Sequence, residues 1–402
     1  MVSAMARQFK LYSWLCWASG VFFIKNLQSG RKEDGLVSWK SWYGVYSIGC
    51  ILSVAVIQLY LIIYKTLRIY ARVLSFTKSV VVVGPMIVTT KQITNVASAI
   101  CGSRRMLEFF TRSAEYEKAT AFDWKKYGYR CRQSYVLRLI IAAGFFGILA
   151  ANVLMTIRLL RFTGDSLRDY AIHAGMMLYT AFFFAYDILD LAILKPCYTV
   201  LISYVRQEQD ALNSILGKGI DKRPAKITDV SVQLERVRLN LLAIAKLRKV
   251  LNMTWHFSIL MSAVVLLVVS CVTIHTIFDG GLPTDQFILT ISYCCYITVD
   301  FVDVTRLSQR MADEVLALKK NLVNVSGLHN SPALLQQVAY LHKVIKPEEM
   351  FLSGGKFFRL NMPLLVSLAG SVITYSVILV QTSDSVEKLK TASSSLGTPG
   401  AQ

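Results

Sequence analysis

Two pairs of carboxylates have a spacing that could do chemistry. Asp187 and Asp190 are three residues apart, and so are Asp300 and Asp303. On a helix this puts both members of a pair on one face, one turn apart. Each pair lies within or at the end of a long apolar run, where a carboxylate is expensive and normally faces protein or a water-filled cavity. Two readings follow. The four carboxylates can form a vestibule that attracts cations, or they can be structural, paired with a base such as Arg138 at a similar depth. A catalytic dyad finds no support, because nothing nearby supplies a nucleophile or a metal. The five histidines (His173, His256, His275, His329, His342) show no His-x-x-x-His spacing, and the eight cysteines contain no Cys-x-x-Cys. We therefore expect free thiols, no metal, no cofactor and no enzymatic activity.

A second set of residues could hold a small molecule. Lys78, Met86, Asn152, Thr156, His173, Met177, Tyr179, Thr180, Thr273, His275, Phe287, Thr290 and Tyr293 lie in the outer halves of five apolar runs. Aromatic faces with a few polar groups suit a ligand pocket. The set leans apolar and aromatic, which favours an apolar ligand over one rich in hydrogen-bonding groups, such as a sugar.

The elements that must position these groups are helices in a bilayer. A bilayer core takes about 20 apolar residues to cross. Seven runs qualify: Tyr43–Tyr64, Thr77–Ala99, Tyr135–Ile157, Ala171–Leu194, Trp255–Ile277, Gln286–Val304 and Met362–Val380. The fold class is all-α, a polytopic membrane protein of seven transmembrane helices. Charged residues make up 17% of the chain, below the ~25% of soluble domains, as lipid burial requires. The net charge of +19 would suggest nucleic acid in a soluble protein, but here the bases cluster between the spans. No nucleic-acid partner is expected. The bilayer is the partner.

The bases also orient the chain. Segments 1–42, 101–134, 195–254 and 306–361 hold 33 of the 44 Lys and Arg, whereas 65–76, 158–170, 278–285 and the tail after Gln381 hold eight. Positive segments stay inside. The N-terminus is expected in the cytoplasm, the C-terminus outside, and the protein in the plasma membrane. Sequons at Asn252 and Asn324 then face the cytosol and go unglycosylated.

The inner segments read as helices prolonged below the membrane. Leu234, Val237, Leu241 and Ile244 form one apolar stripe, and Val315, Leu318, Leu322 and Val325 form another. Leu11–Ile24 is a short apolar helix without a cleavage site. The expected divisions are an N-terminal segment 1–42, six spans with their extensions in 43–304, anchor helices in 305–361, a last helix in 362–381 and a disordered tail in 382–402.

The last span carries the most specific motif. Thr374-Tyr375 is followed by five mainly apolar residues and Gln381. Gly354-Gly355-Lys-Phe-Phe-Arg-Leu-Asn361 and Pro363-Leu-Leu precede it. This resembles the C-terminal signature of the insect gustatory receptors, Thr-Tyr, five hydrophobic residues, Gln-Phe. Thr382 stands where that family has phenylalanine.

The resemblance implies a homotetrameric or heterotetrameric cation channel opened by a small-molecule tastant and permeable to monovalent and divalent cations. Its central pore would be lined by four copies of the last helix. The implied pore and gate residues are Thr374, Tyr375, Ile378, Leu379, Gln381 and Thr382. With Thr382 small and polar, the hydrophobic part of the gate is weaker, or is supplied by Val380 or Leu379.

A G-protein-coupled receptor would need the opposite orientation, an Asp-Arg-Tyr after the third span and an Asn-Pro-x-x-Tyr in the last, and has none of these. A secondary transporter and a subunit that works only in heteromers stay open.

Overall fold

The computed structural model describes residues 3–21, 23–24, 35–38, 40–70, 76–128, 175, 178–179, 181–217, 224–279, 284–323 and 332–396, which are mostly helical, with an isolated bridge between Ile24 and Leu36. Helices are α1 (Ala4–Ala18), α2 (Trp42–Tyr70), α3 (Phe76–Cys101), α4 (Ser103–Thr120), α5 (Trp124–Tyr127), α6 (Leu189–Gly217), α7 (Pro224–Asp279), α8 (Thr284–Val323), α9 (Pro332–Val344) and α10 (Met362–Leu396). A two-stranded hairpin, β1 (Ser353–Gly354) and β2 (Phe358–Arg359), precedes α10.

Three described helices are long and apolar enough to cross a membrane, at Trp42–Tyr60, Val230–Phe278 and Met362–Thr382. A bent pair, Ala181–Asp187 with Leu189–Ile215, makes a fourth. The expected spans Thr77–Ala99 and Gln286–Val304 are continuous helix within α3 and α8. The expected span Tyr135–Ile157 lies outside the described residues.

The axis of the subunit is α7. Its 56 residues extend about 84 Å at 1.5 Å per residue, far beyond the roughly 30 Å of a bilayer core. The other half must therefore continue outside the apolar layer. Leu234, Val237, Leu241 and Ile244 are all buried there, as their spacing requires. Helices α3, α4, α6, α8, α9 and α10 and strand β1 all pack on α7. Val315, Leu318 and Leu322 of α8 are buried beside it. Val325 lies outside the described residues.

Three expectations on boundaries change. The N-terminal helix starts at Ala4 rather than Leu11, and it packs on α4 and α6 through buried Met5, Phe9 and Cys16. The last helix does not stop at Gln381 but runs to Leu396. Neither glycine nor proline interrupts 382–396, so nothing in that stretch breaks the helix. The fourth span bends by 44° where an unbroken helix was expected.

At the polar end, side chains of α4 lock α1 and α6 together. Glu117 accepts from the backbone N–H of Ala4 at 2.6 Å and Met5 at 3.0 Å, which caps the first turn of α1. The same carboxylate accepts from the Tyr204 hydroxyl at 2.5 Å. Tyr116 donates to Glu208 Oε1 at 2.8 Å. Burial, and then the adjoining Glu208 carboxylate, push the Tyr116 hydroxyl far above its ordinary range, so it remains a donor. Glu117→Ala should lower stability by about 2 kcal/mol, the cost of buried donors left unpaired, and expose 1–18 to protease. Glu117→Gln, which keeps one acceptor oxygen, should lose less. Thermal unfolding with limited proteolysis of the full chain measures both. Equal losses would mean that the cap is not what holds α1.

Candidate functional site

The last helix rises from a tethered base. In the hairpin, Ser353 pairs with Arg359 and Gly354 with Phe358. Gly355 makes the turn at φ +64, a conformation that favours glycine. Ser353 N donates to Asn252 Oδ1 at 2.8 Å, and Asn252 Nδ2 donates back to Ser353 Oγ at 2.9 Å. Leu352 N donates to Ser308 Oγ at 2.8 Å, and Arg248 bonds the Phe351 carbonyl. The hairpin is thus pinned to α7 and α8. Asn361 then caps α10 by accepting from Leu364 N at 3.1 Å. Asn252, the first sequon asparagine, has its amide engaged here. Asn324 lies outside the described residues.

Above its base, α10 is nearly bare. Only 6% of its apolar window is buried, against 50% for α7. The inward face carries Leu364, Leu365, Leu368 and the buried Ser376. At 3.6 residues per turn, Ser367, Ser371, Thr374, Ile378, Gln381 and Ser385 form one stripe, roughly opposite Ser376. The stripe is uncharged, and Ile378 is its one apolar member. The hydroxyls of Ser371, Thr374, Thr382 and Ser385 donate to the carbonyl four residues earlier, at 3.0, 3.0, 2.7 and 2.9 Å. Thr382 lies at the edge of the stripe, while Tyr375 and Leu379 lie off it.

The carboxylates sit elsewhere, inside the subunit. At the bend, Leu191 N bonds Asp190 Oδ1 at 3.0 Å rather than the Asp187 carbonyl. A side chain that competes for a backbone donor disturbs the helix ladder. The freed Asp187 carbonyl accepts instead from α3, from Lys91 Nζ at 3.0 Å and Asn95 Nδ2 at 3.1 Å. Lys91 Nζ also lies 3.2 Å from Asp187 Oδ1, with both side chains under 5% exposed. Tyr293 donates to the same oxygen at 3.1 Å. Ser262 of α7 donates to Asp190 Oδ2 at 2.7 Å. Asp300 is buried, and Asp303 pairs with Lys195.

A cation vestibule would need these carboxylates in contact with bulk water, but Asp187, Asp190 and Asp300 are enclosed. Arg138, the base suggested as their partner, lies outside the described residues. Lys91 serves Asp187 instead. Its signal was legible: Lys91 and Asn95, one turn apart within an apolar run, make a polar face that needs a polar partner.

The pocket candidates do not come together among the described residues. Asn152, Thr156, His173, Met177 and Thr180 lie outside them, as do the side chains of Lys78 and Phe287. Met86 is exposed. Thr273 and His275 are buried on α7, with the Thr273 hydroxyl bonded to the Val269 carbonyl. Thr290 is half-buried. Tyr179 is half-buried, its ring 6.0 Å from that of Phe183. Among the described residues, no group of three or more His, Cys, Asp or Glu side chains could hold a metal ion.

The model of the 7tm chemosensory receptor family matches residues 9–385. The chain belongs to this family. Its fold is similar to that of the insect olfactory receptor OR5 from Machilis hrabei, in a structure with eugenol and in a second structure. In each case the TM-score is 0.68 and the identity 14%, over 94% of this chain and 98% of that one. No curated protein is found to match the sequence.

In this chemosensory receptor the polar cluster ties α3, α6, α7 and α8 together inside the apolar layer. Removing one partner of a buried ion pair leaves an uncompensated charge, a loss of about 3–5 kcal/mol, whereas replacing both by apolar groups is often neutral. Lys91→Met should therefore lower the unfolding temperature sharply, and Lys91→Met with Asp187→Leu should recover most of the loss. Thermal unfolding of the receptor in detergent checks this. A double variant no better than the single would show that Lys91 does not serve Asp187.

Proposed function

We propose that this chemosensory receptor is a gustatory receptor of the plasma membrane, a tetrameric, tastant-gated, non-selective cation channel with α10 lining the pore. The observation that carries this is the bare last helix with its uncharged hydroxyl stripe. An apolar helix buried on one narrow face within its own subunit has surface left for other copies. Ser367, Gly370 and Ser371 permit close approach. Four such helices around one axis would turn the stripe toward a common lumen.

The stripe suits cations. The hydroxyls of Ser371, Thr374, Thr382 and Ser385 donate their protons to the helix backbone, so their oxygen lone pairs face outward. A permeant cation meets mostly acceptors, and the Gln381 amide and the Ser367 hydroxyl are the only donors in the stripe that an anion would meet. With no charged ring, discrimination among monovalent and divalent cations is weak. Ile378 supplies the apolar ring at which a narrow pore can dewet and close. Gln381 sits one turn beyond it, and Thr374, Tyr375, Leu379 and Thr382 flank the constriction. The basic segments favour a cytoplasmic N-terminus and polar end, with the C-terminus outside.

The Thr374-Tyr375 and Gln381 motif favours taste over smell. The aromatic lean of the pocket candidates favours a bitter or otherwise noxious compound. The related olfactory receptor was solved with eugenol, a small aromatic ligand. Moving a pore from 1:99 to 99:1 open takes about 5.5 kcal/mol of differential binding, or about 1.4 kcal/mol from each of four pockets. A weak tastant suffices. A second reading is secondary transport of a small solute, favoured by the bend in the fourth span, since broken helices mark transporter binding sites. A subunit active only in heteromers would share the channel mechanism.

Whole-cell current under a panel of bitter compounds tests the proposal. The wild type should show an evoked cation current, Ile378→Ser a raised basal leak, and Gln381→Ala an altered open probability. Solute uptake without current, at normal surface expression, would favour the transporter.

A further inference from the structure

We infer that the seam between α4 and α7 holds the headgroup of an anionic phospholipid of the cytoplasmic leaflet, one that carries more than one phosphate. The two sides of the seam meet in fixed register where α3 passes into α4. The Ser258 hydroxyl of α7 donates to Ser98 Oγ of α3 at 3.1 Å. One turn lower, Gly102 presses on α7, and a Cβ there would lie 2.3 Å from Thr254 Cγ2. Arg105 Nη1, at the start of α4, donates to the Met253 carbonyl at 3.3 Å.

Both sides change character at this depth. Above it the exposed side chains are apolar, Ile93 and Ala97 on α3 and Met253 and Phe257 on α7. Below it they are basic, Arg104 and Arg105 on α4 and Lys249 and Lys246 on α7. The edge of the apolar layer therefore crosses the seam near Met253. The charge is unopposed. Helix α3 contains no Asp or Glu, and neither does α7 from Arg236 to Phe278. Glu108, the first acid of α4, pairs with Arg112. Among the described residues, none of the four bases pairs with a carboxylate. Four or more bases just inside a span attract anionic lipid.

Depth selects among anionic lipids. At 1.5 Å per residue, Lys249 lies about 6 Å and Lys246 about 10 Å below Met253, whereas Arg105 is level with it. The bases form a ladder longer than the interfacial layer, roughly 5–7 Å per leaflet. A lipid with one phosphate reaches only the upper rungs, Arg104 and Arg105. Further phosphates, projecting below the glycerol, reach Lys249 and Lys246. Phe257 and Ile93 meet the acyl chains, which a soluble phosphate lacks. The lipid would join α4 to α7 from outside. The inference shares with the channel proposal only the cytoplasmic placement of the polar end.

Native mass spectrometry of the full-length receptor in a non-ionic detergent tests this by counting bound lipid. The probes are a short-chain phosphatidylinositol bisphosphate, phosphatidylserine and phosphatidylcholine of the same chain length, and the soluble inositol trisphosphate headgroup. The bisphosphate lipid should bind saturably and tightest, phosphatidylserine and the soluble headgroup more weakly, and phosphatidylcholine not at all. Each base near an anionic surface is worth about fivefold in affinity, so Arg105→Gln with Lys249→Gln should weaken binding about 25-fold. Lys118→Gln with Lys125→Gln, the same charge change away from the seam, should leave binding unchanged. If the first variant does not fold, Lys246→Gln with Lys249→Gln, both on an exposed face, decides in its place. Absence of saturable binding would overturn the inference, as would a seam variant that binds like the wild type or an equal loss in the control pair. Phosphatidylserine bound as tightly as the bisphosphate would overturn the headgroup assignment, and the soluble headgroup bound as tightly would overturn the lipid. A seam variant that changes the subunit count and not the lipid bound would give this face to a second copy instead. No current is read, so failure here leaves the channel proposal standing.

Discussion

The reciprocal hydrogen bonds between Asn252 and Ser353 fix what the last helix can do. A helix packed along only one face has little to hold its direction. Here the direction is set at its base. The hairpin is fastened to α7 through Asn252 and Arg248 and to α8 through Ser308, and Asn361 starts α10 from that fixed point. Bending of the helix above this anchor costs few contacts. Displacement of the anchor itself would break several bonds at once. The geometry makes α10 a lever with a rigid root.

The rest of the subunit supplies the rigidity. Its interior is tied by side chains reaching to backbone carbonyls as well as by apolar packing. At the bend after Asp187, the Lys91 and Asn95 side chains satisfy carbonyls that the helix ladder has released. A carbonyl left unsatisfied in an apolar layer would cost several kcal/mol. The bend and the polar face of α3 therefore require each other, and neither is stable alone. At the opposite end, Glu117 does the same for the unpaired amides of α1.

Much of this was legible in the sequence where a pattern reports a single face. The stripe Leu234, Val237, Leu241 and Ile244 predicted an extended helix below the span, and α7 contains it. The stripe Val315, Leu318 and Leu322 did the same for α8. Pairing was harder to read. Spacing shows that Asp187 needs a partner but not which helix turns toward it, so Arg138 was named by depth and Lys91 was passed over. The bend was hidden because Asp190 breaks the ladder by capturing one N–H, with no proline or glycine to announce it. The reach of α10 to Leu396 was missed because Ser383, Asp384 and the charges after them read as a tail, although none of them breaks a helix.

These features together separate two jobs that one helix could not do. A pore lining must expose polar groups to water, and a membrane subunit must bury its polar groups. The chain assigns buried polarity to α3, α6, α7 and α8, where every strong charge near the bend faces inward. It leaves α10 with the hydroxyls of Ser371, Thr374, Thr382 and Ser385, whose protons are already taken by its own backbone. In the proposed pore such a helix would tolerate a dry, apolar closed state at Ile378, because the Ser371, Thr374, Thr382 and Ser385 hydroxyls would keep their backbone hydrogen bonds when water leaves. It would also tolerate a wet open state, because those lone pairs are free to meet ions. With charged residues in the stripe the dry state would be lost, and with leucine throughout the wet one would be. If α10 lines a pore as proposed, a stripe that accepts both would let a small difference in ligand binding decide between them.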